Sequence, residues 1–349
     1  MISRVAESCF WLNRYVERVE MLARMLDVNL AFQLDISVPD AERWRPLVVV
    51  SGQERDFLAR HGQSSIDDAE TVQDYLTWSA DNPSSLYSSL RAARENARTI
   101  RETISLEMWE TLNDLWVFVN DRAARRLYQK DRSVFYRRLR DQCILLHGVA
   151  QETMLHEDPF HFMRLGTALE RAGQTARVLD VKYHSIGPTP EDERFEKLGE
   201  AAHWLATLRF CCGVEPFLKR EDNALSGRAV AAFLLFDPAF PRSVRHNLDR
   251  AQNFLGLLCA PAPERIGVRS RAKLVEAREY LVAQNIDVVL HEGLHETATW
   301  VVDTTGEIAT TVIEEFFHPT IDALGPRAAA QTQTQGVSSG ATQTLAAAD

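Results

Sequence analysis

A segment of thirteen residues near the start of the chain returns 153 positions later, and both copies set charge into an otherwise apolar helical pattern. Residues 16–28 read VERVEMLARMLDV and residues 169–181 read LERAGQTARVLDV. Glu17, Arg18, Ala23, Arg24, Leu26, Asp27 and Val28 match Glu170, Arg171, Ala176, Arg177, Leu179, Asp180 and Val181. Self-similarity of this length points to an internal duplication, with two related helical halves facing each other across a near-twofold axis. It also makes the Glu-Arg dipeptide the feature that most needs a physical explanation.

Apolar residues recur with helical period almost throughout. In the first copy Leu12, Tyr15, Val16, Val19, Leu22, Ala23 and Leu26 follow the i, i+3, i+4, i+7 rule. The same pattern predicts helices over 84–104, 106–128, 132–151, 160–184, 192–212 and 243–258, and over 273–317 with a break near 304–306. Pro83 and Pro241 sit in first-turn positions with serine caps beside them. They add a second echo: Pro83, Ser85 and Leu86 precede Leu90-Arg91-Ala92-Ala93, as Pro241, Ser243 and Val244 precede Leu248-Asp249-Arg250-Ala251. The strongest strand-like run, residues 47–50, is too short and isolated to build a sheet. The expected fold is therefore all-α: a first helical half over 1–150 and a second over 151–324, packed as one multi-helix bundle. An Ala/Gln/Thr-rich tail over 325–349 lacks apolar periodicity and is expected to be disordered.

Composition narrows the function classes. The chain has 349 residues, 45% of them apolar and 25% charged, as ordinary globular proteins do. Acids outnumber bases 49 to 39, a net charge of −10, which disfavours nucleic acid as the main partner. Arginine supplies 34 of those bases and lysine 5, so many groups suit bidentate grip of carboxylate or phosphate. Cys9, Cys143, Cys211, Cys212 and Cys259 are odd in number and lack a CxxC, which argues against disulfides and zinc knuckles; they read as small buried residues. No signal peptide and no membrane span are expected, the default location is the cytoplasm, and a homodimer stays open.

Measured from Val19 at 100° per residue, Glu17 and Arg24 fall about 160° and 140° away, on the side opposite the core stripe. Phe10, Met21 and Val28 share that side. A helix that is apolar all round is normally enclosed, so these charges are expected to be desolvated and paired. Two readings follow. In one, Glu17 pairs with an arginine of the second copy and Glu170 with Arg18 or Arg24, locking the register of two helices. In the other, Glu17, Arg18, Arg24, Glu170, Arg171 and Arg177 converge on a cavity that takes a charged ligand.

The opening Met1-Ile2-Ser3-Arg4-Val5-Ala6-Glu7 and Trp11-Leu12-x-Arg14-Tyr15-x-Glu17-Arg18 resemble the alpha-E family, a bacterial all-helical family of unknown function with a Glu-Arg motif. Ala93-Arg94-Glu95-Asn96-Ala97-Arg98 with Trp109-Glu110-x-x-Asn113, the stretch from Leu235 to Ser243, and Glu292-Gly293-Leu294-His295-Glu296 resemble its further blocks. The resemblance covers about residues 1–320. It implies partnership with a circularly permuted ATP-grasp ligase, often alongside a transglutaminase-like protease, and a role in peptide or amide-bond formation. It assigns no catalytic residue to the helical protein.

Two other constellations carry possible chemistry. His291-Glu292-x-x-His295 fits the HExxH zinc pattern, with Glu315 at the distance of a third ligand, and makes a zinc metallopeptidase the alternative enzyme; the resembling block does not require His291. Arg122, Arg125, Arg126, Arg137 and Arg138 form a locally basic stretch able to dock an acidic partner or phosphate, or simply a solvated hairpin. No Walker, Rossmann or G-x-S-x-G signature is present, so no cofactor is expected in this chain, and ATP with Mg would come from a partner. The favoured reading is a helical accessory or co-catalytic subunit of an ATP-grasp-linked ligation system. A purely structural or interaction protein is the remaining alternative.

Overall fold

Sixteen α-helices and no strand are built by the described residues, which are 3–35, 40–184, 193–220 and 225–318 of a computed structural model. In chain order they are α1 (Ser3–Asp35), α2 (Asp40–Val50), α3 (Glu54–His61), α4 (Ala69–Trp78), α5 (Leu86–Thr99), α6 (Leu106–Asn120), α7 (Arg122–Lys130) and α8 (Arg132–Thr153). They continue as α9 (Asp158–His184), α10 (Glu193–Phe210), α11 (Val214–Leu218), α12 (Gly227–Phe236), α13 (Val244–Cys259), α14 (Val268–Ala283), α15 (Ile286–Glu292) and α16 (Leu294–Val312). The tail over 325–349 lies outside the described residues.

The two copies of the repeat lie in α1 and α9, and these helices pack against each other. Around α1 stand α5 and α8; around α9 stand α13 and α16. One apolar cluster runs from Ala6 to Phe317 and draws on both sets. Gly166 permits the close crossing of the central pair: a Cβ there would lie 2.4 Å from the carbonyl oxygen of Phe10.

The second echo has a matching geometry. Ser85 caps α5 by accepting from the Ser88 amide, and Ser243 caps α13 by accepting from the His246 amide. Each hydroxyl also donates to a carbonyl six residues upstream, Ser85 to Ser79 and Ser243 to Asp237. The repeated aspartates do parallel work. Asp27 accepts from Ser133 of α8 and faces Arg140 at 3.6 Å, whereas Asp180 pairs with His295 of α16 at 2.7 Å. Each therefore ties its own repeat helix to a third helix.

Several boundaries differ from the sequence reading, each for a local reason. Residues 47–50 are the end of α2, where Trp44, Leu47 and Val48 are fully buried, so the β-type run is a buried helical turn. The helix predicted over 106–128 divides at Asp121, whose side chain caps α7 by accepting from the Ala123 amide. The helix predicted over 273–317 runs unbroken through 304–306 and is interrupted instead after Ala283, where Asn285 caps α15, and at Gly293, whose φ is +117°. Among the cysteines, Cys212 is exposed and has a φ of 55°, unlike the four buried ones.

Gly166→Ala is expected to destabilise the fold by roughly 1–3 kcal/mol, because the methyl must push α1 and α9 apart. Urea unfolding checks this, and a midpoint equal to that of the wild type would overturn the close-approach account.

Candidate functional site

Glu17 and Glu170 face opposite helices. Arg171 donates to both oxygens of Glu17, at 2.8 and 2.6 Å, and Arg18 donates to both oxygens of Glu170, at 2.6 and 3.1 Å. The glutamate and arginine of each dipeptide thus cross-pair between α1 and α9 in a bidentate geometry, the strongest form of the guanidinium–carboxylate interaction. Asn13 adds a hydrogen bond to Thr167 at 3.3 Å along the same seam.

The two ends of this seam differ. At the Glu17 end, Arg242 reaches in from the start of α13 and donates to Glu17 at 3.2 Å and to Glu20 at 2.6 Å. Arg24 closes back on Glu20 one turn away. Glu17 and Glu20 are 0% and 1% exposed. Burial by itself would raise the Glu17 pKa, but Arg171 and Arg242 outweigh it and hold the carboxyl well below the ordinary range. His147 of α8 also faces Glu17, at 3.5 Å.

At the Glu170 end, Arg14 donates to Glu170 at 2.7 Å beside Arg18, and Gln174 donates at 3.3 Å. Arg14 lies over the Trp11 ring at 4.7 Å and Arg18 over the Tyr15 ring at 5.4 Å, which holds both guanidiniums in place. Desolvation raises the Glu170 pKa, yet Arg14 and Arg18 bring it down to about 2. Here the seam opens into a cavity of about 320 Å³, bordered by α1, α9, α16, the turn after α2 and the start of α5. Arg14, Arg18, Glu170 and Arg177 line it.

The six residues singled out from sequence are therefore all at the seam, but they divide. Glu17, Arg24 and Arg171 belong to the sealed end, whereas Arg18, Glu170 and Arg177 belong to the open one. Arg24 pairs within α1 rather than with Glu170. Arg14, Glu20, His147, Gln174 and Arg242 were not singled out. Glu20 was legible as the i, i+4 partner of Arg24. Arg242 carries no periodic signal, because it sits ahead of its helix and is brought in by the turn at Pro241.

The HExxH segment does not fold as a zinc helix. Gly293 interrupts it, leaving His291 exposed at the end of α15 and His295 in the first turn of α16, where it pairs with Asp180. Glu315 accepts from the backbone amides of Arg269 and Ser270, at 2.9 Å each, and so caps α14. Among the described residues no three His, Cys, Asp or Glu side chains gather as metal ligands. The expectation of two histidines one turn apart on one helix is thus corrected by a glycine in a conformation that helices do not use. In the basic stretch all five arginines are exposed, and Arg125 lies 3.7 Å over Trp78 and Arg138 3.6 Å over Phe118. None of the five borders the cavity. Among the described residues no helix is long and apolar enough to cross a membrane.

The profile of one protein family, Alpha-E, described as a predicted alpha-helical domain with a conserved ER motif, matches residues 1–317. Uncharacterized proteins of Mycobacterium bovis and Mycobacterium tuberculosis are each 26% identical over 327 residues, covering 86% of this chain and 36% of the relative. The chain thus spans about a third of the length of the curated relatives it matches. No solved structure matches it.

Glu17→Ala should cost about 3–5 kcal/mol in urea unfolding, because it strands Arg171 and Arg242 without their acid; a loss below about 0.5 kcal/mol would mark a surface pair instead. Glu170 has a folded-state pKa of about 2, below its ordinary 4.5. Its stabilising contribution is therefore complete above pH 4.5 and is lost as pH falls toward 2. Glu170→Gln is expected to flatten that part of the acid-unfolding profile, and a slope unchanged from the wild type would contradict the pairing.

Proposed function

The chain belongs to the Alpha-E family, and from that membership we propose that it is the helical accessory or co-catalytic subunit of an ATP-grasp-linked system forming peptide or amide bonds. In this reading its Glu-Arg seam holds an acidic substrate for a circularly permuted ATP-grasp ligase, which supplies ATP and Mg. A transglutaminase-like protease is a second partner.

One observation carries the acidic-substrate part: three guanidiniums, from Arg14, Arg18 and Arg177, face the cavity against the single carboxylate of Glu170. A chain that is acidic as a whole thus concentrates positive charge at this opening. Such a site draws anions by its local positive charge. The cavity volume falls at the small end of the range for small-molecule sites. The curated relatives carry further sequence beyond the matched region, which suits a unit that acts beside other domains.

A purely structural reading is favoured at the Glu17 end alone. There Glu17 and Glu20 are enclosed and Arg24, Arg171 and Arg242 are all paired with them, so that end acts as a lock between α1, α9 and α13.

Purification of the tagged chain together with the ATP-grasp ligase encoded beside it tests the proposal. Stable association is expected, along with faster ATP turnover by the ligase on an acidic acceptor when the chain is present. Neither association nor a change in rate would discard the accessory role.

A further inference from the structure

The two copies of the repeat part company one turn before the second arginine. Glu20 stands four residues before Arg24, whereas the matching position before Arg177 is Gly173. A second difference meets it in space. Arg242, immediately before the Ser243 cap of α13, fills the Glu17 end and binds Glu20. Ser84, immediately before the Ser85 cap of α5, holds the matching place and lines the cavity together with Gly173. A buried carboxylate and guanidinium at one end are thus replaced by a hydrogen atom and a hydroxymethyl group at the other. The space they leave is the cavity.

The replacement is not electrically even. Arg14 approaches Glu170 much as Arg242 approaches Glu17, so the cationic partner is supplied at both ends. Among the described residues no carboxylate comes within hydrogen-bond distance of Arg177 as Glu20 does of Arg24. Among the described residues Arg177 makes no hydrogen bond and no ion pair. Desolvation lowers its pKa, Arg18 and Arg14 push the same way, and Glu170 and Asp303 oppose them only in part. The wall also offers acceptors. Gln174 donates its amide to Glu170, which fixes its orientation and leaves its Oε1 buried without a partner. Gln53 Oε1, on the turn after α2, is likewise buried and unpartnered. Unpaired buried acceptors are costly, and a donor from a ligand would relieve them.

We propose that this cavity binds a carboxylate-bearing amide or amine, an acidic amino acid or peptide end, whose carboxylate meets Arg177 as Glu20 meets Arg24 and whose N–H groups meet Gln174 and Gln53. Guanidinium and carboxylate match in a planar two-point geometry. The amide oxygens beside them favour a ligand with N–H donors over inorganic phosphate, which has at most one or two hydroxyls to donate and carries its charge on the same centre. The assignment rests on the acidic-substrate reading above and gives that substrate its chemical class and its orientation.

Isothermal titration of the full-length chain with N-acetyl-L-glutamate tests it, with the uncharged N-acetylglutamine amide and inorganic phosphate as comparisons. Saturable binding of N-acetyl-L-glutamate alone is expected. Arg177→Ala should weaken it about ten-fold or more, since a charged hydrogen-bond pair is lost, without lowering the unfolding midpoint, because Arg177 gives up no hydrogen bond or ion pair among the described residues. Gly173→Glu should abolish binding by supplying the missing carboxylate from within, while the protein stays folded. No saturable binding at millimolar probe, equal binding of phosphate or of the uncharged amide, or binding unchanged in both variants would each overturn the assignment. Co-purification with the ligase, repeated on wild type and Arg177→Ala, separates the two ideas. Association without probe binding sinks the ligand assignment only, and probe binding without association sinks the accessory role only.

Discussion

Two carboxylates exchanged for two guanidiniums across the contact of α1 and α9 set the terms for the rest of the fold. Glu17, Glu20 and Glu170 are all buried, and a buried carboxylate without a partner costs several kcal/mol. Each is tolerable only if its arginine arrives from the facing helix or from α13. That requirement fixes the register of α1 against α9: sliding one helix by a residue would rotate Arg171 and Arg18 away from their acids. The gain is specificity of arrangement more than raw stability, because the desolvation of the ions offsets most of their attraction. Once the central pair is fixed, Asp27 and Asp180 place α8 and α16, and the serine-capped turns place α5 and α13.

What a matched pair of helices cannot provide by matching alone is an opening. Where α1 carries Glu20 and α13 carries Arg242, charge and volume are both satisfied and the interior closes. Where α9 carries Gly173 and α5 is preceded by Ser84, side-chain volume is withdrawn while the arginines remain. The chemistry of the cavity follows from that imbalance. Arginines in excess of carboxylates line it: aromatic rings and the shared carboxylate of Glu170 hold Arg14 and Arg18, and Arg177 stands beside them.

Much of this was readable before any coordinates. The helical period identified nearly every long helix, and the serines beside Pro83 and Pro241 marked the starts of α5 and α13, because both signals are local: a cap bonds to an amide two or three residues away. The paired charges were legible as buried because their helix is apolar on every side. At a few places a local signal was overridden. Residues 47–50 resemble a strand by composition, yet burial against the bundle suits a helix equally well. The HExxH run has the right letters, but Gly293 adopts a left-handed conformation that ends α15 and starts α16 in a new direction. Continuity through 304–306 was missed because the roughly 1 kcal/mol that Gly306 costs α16 is outweighed by the burial of Val301, Thr305 and Ile308 around it.

The sequence by itself determined that the chain is helical, that two Glu-Arg helices repeat, and that their charges must find partners away from water. These are consequences of period, identity and desolvation, all of which can be counted along one chain. Only the tertiary structure decided which arginine serves which glutamate, that Arg14 and Arg242 join them, and that one end of the seam is sealed while the other is open. Those outcomes depend on residues far apart in sequence, such as Arg242 and Glu20, meeting through the angles at which turns and helices deliver them. Pairing of that kind is a property of three-dimensional packing, and a linear pattern carries no record of it.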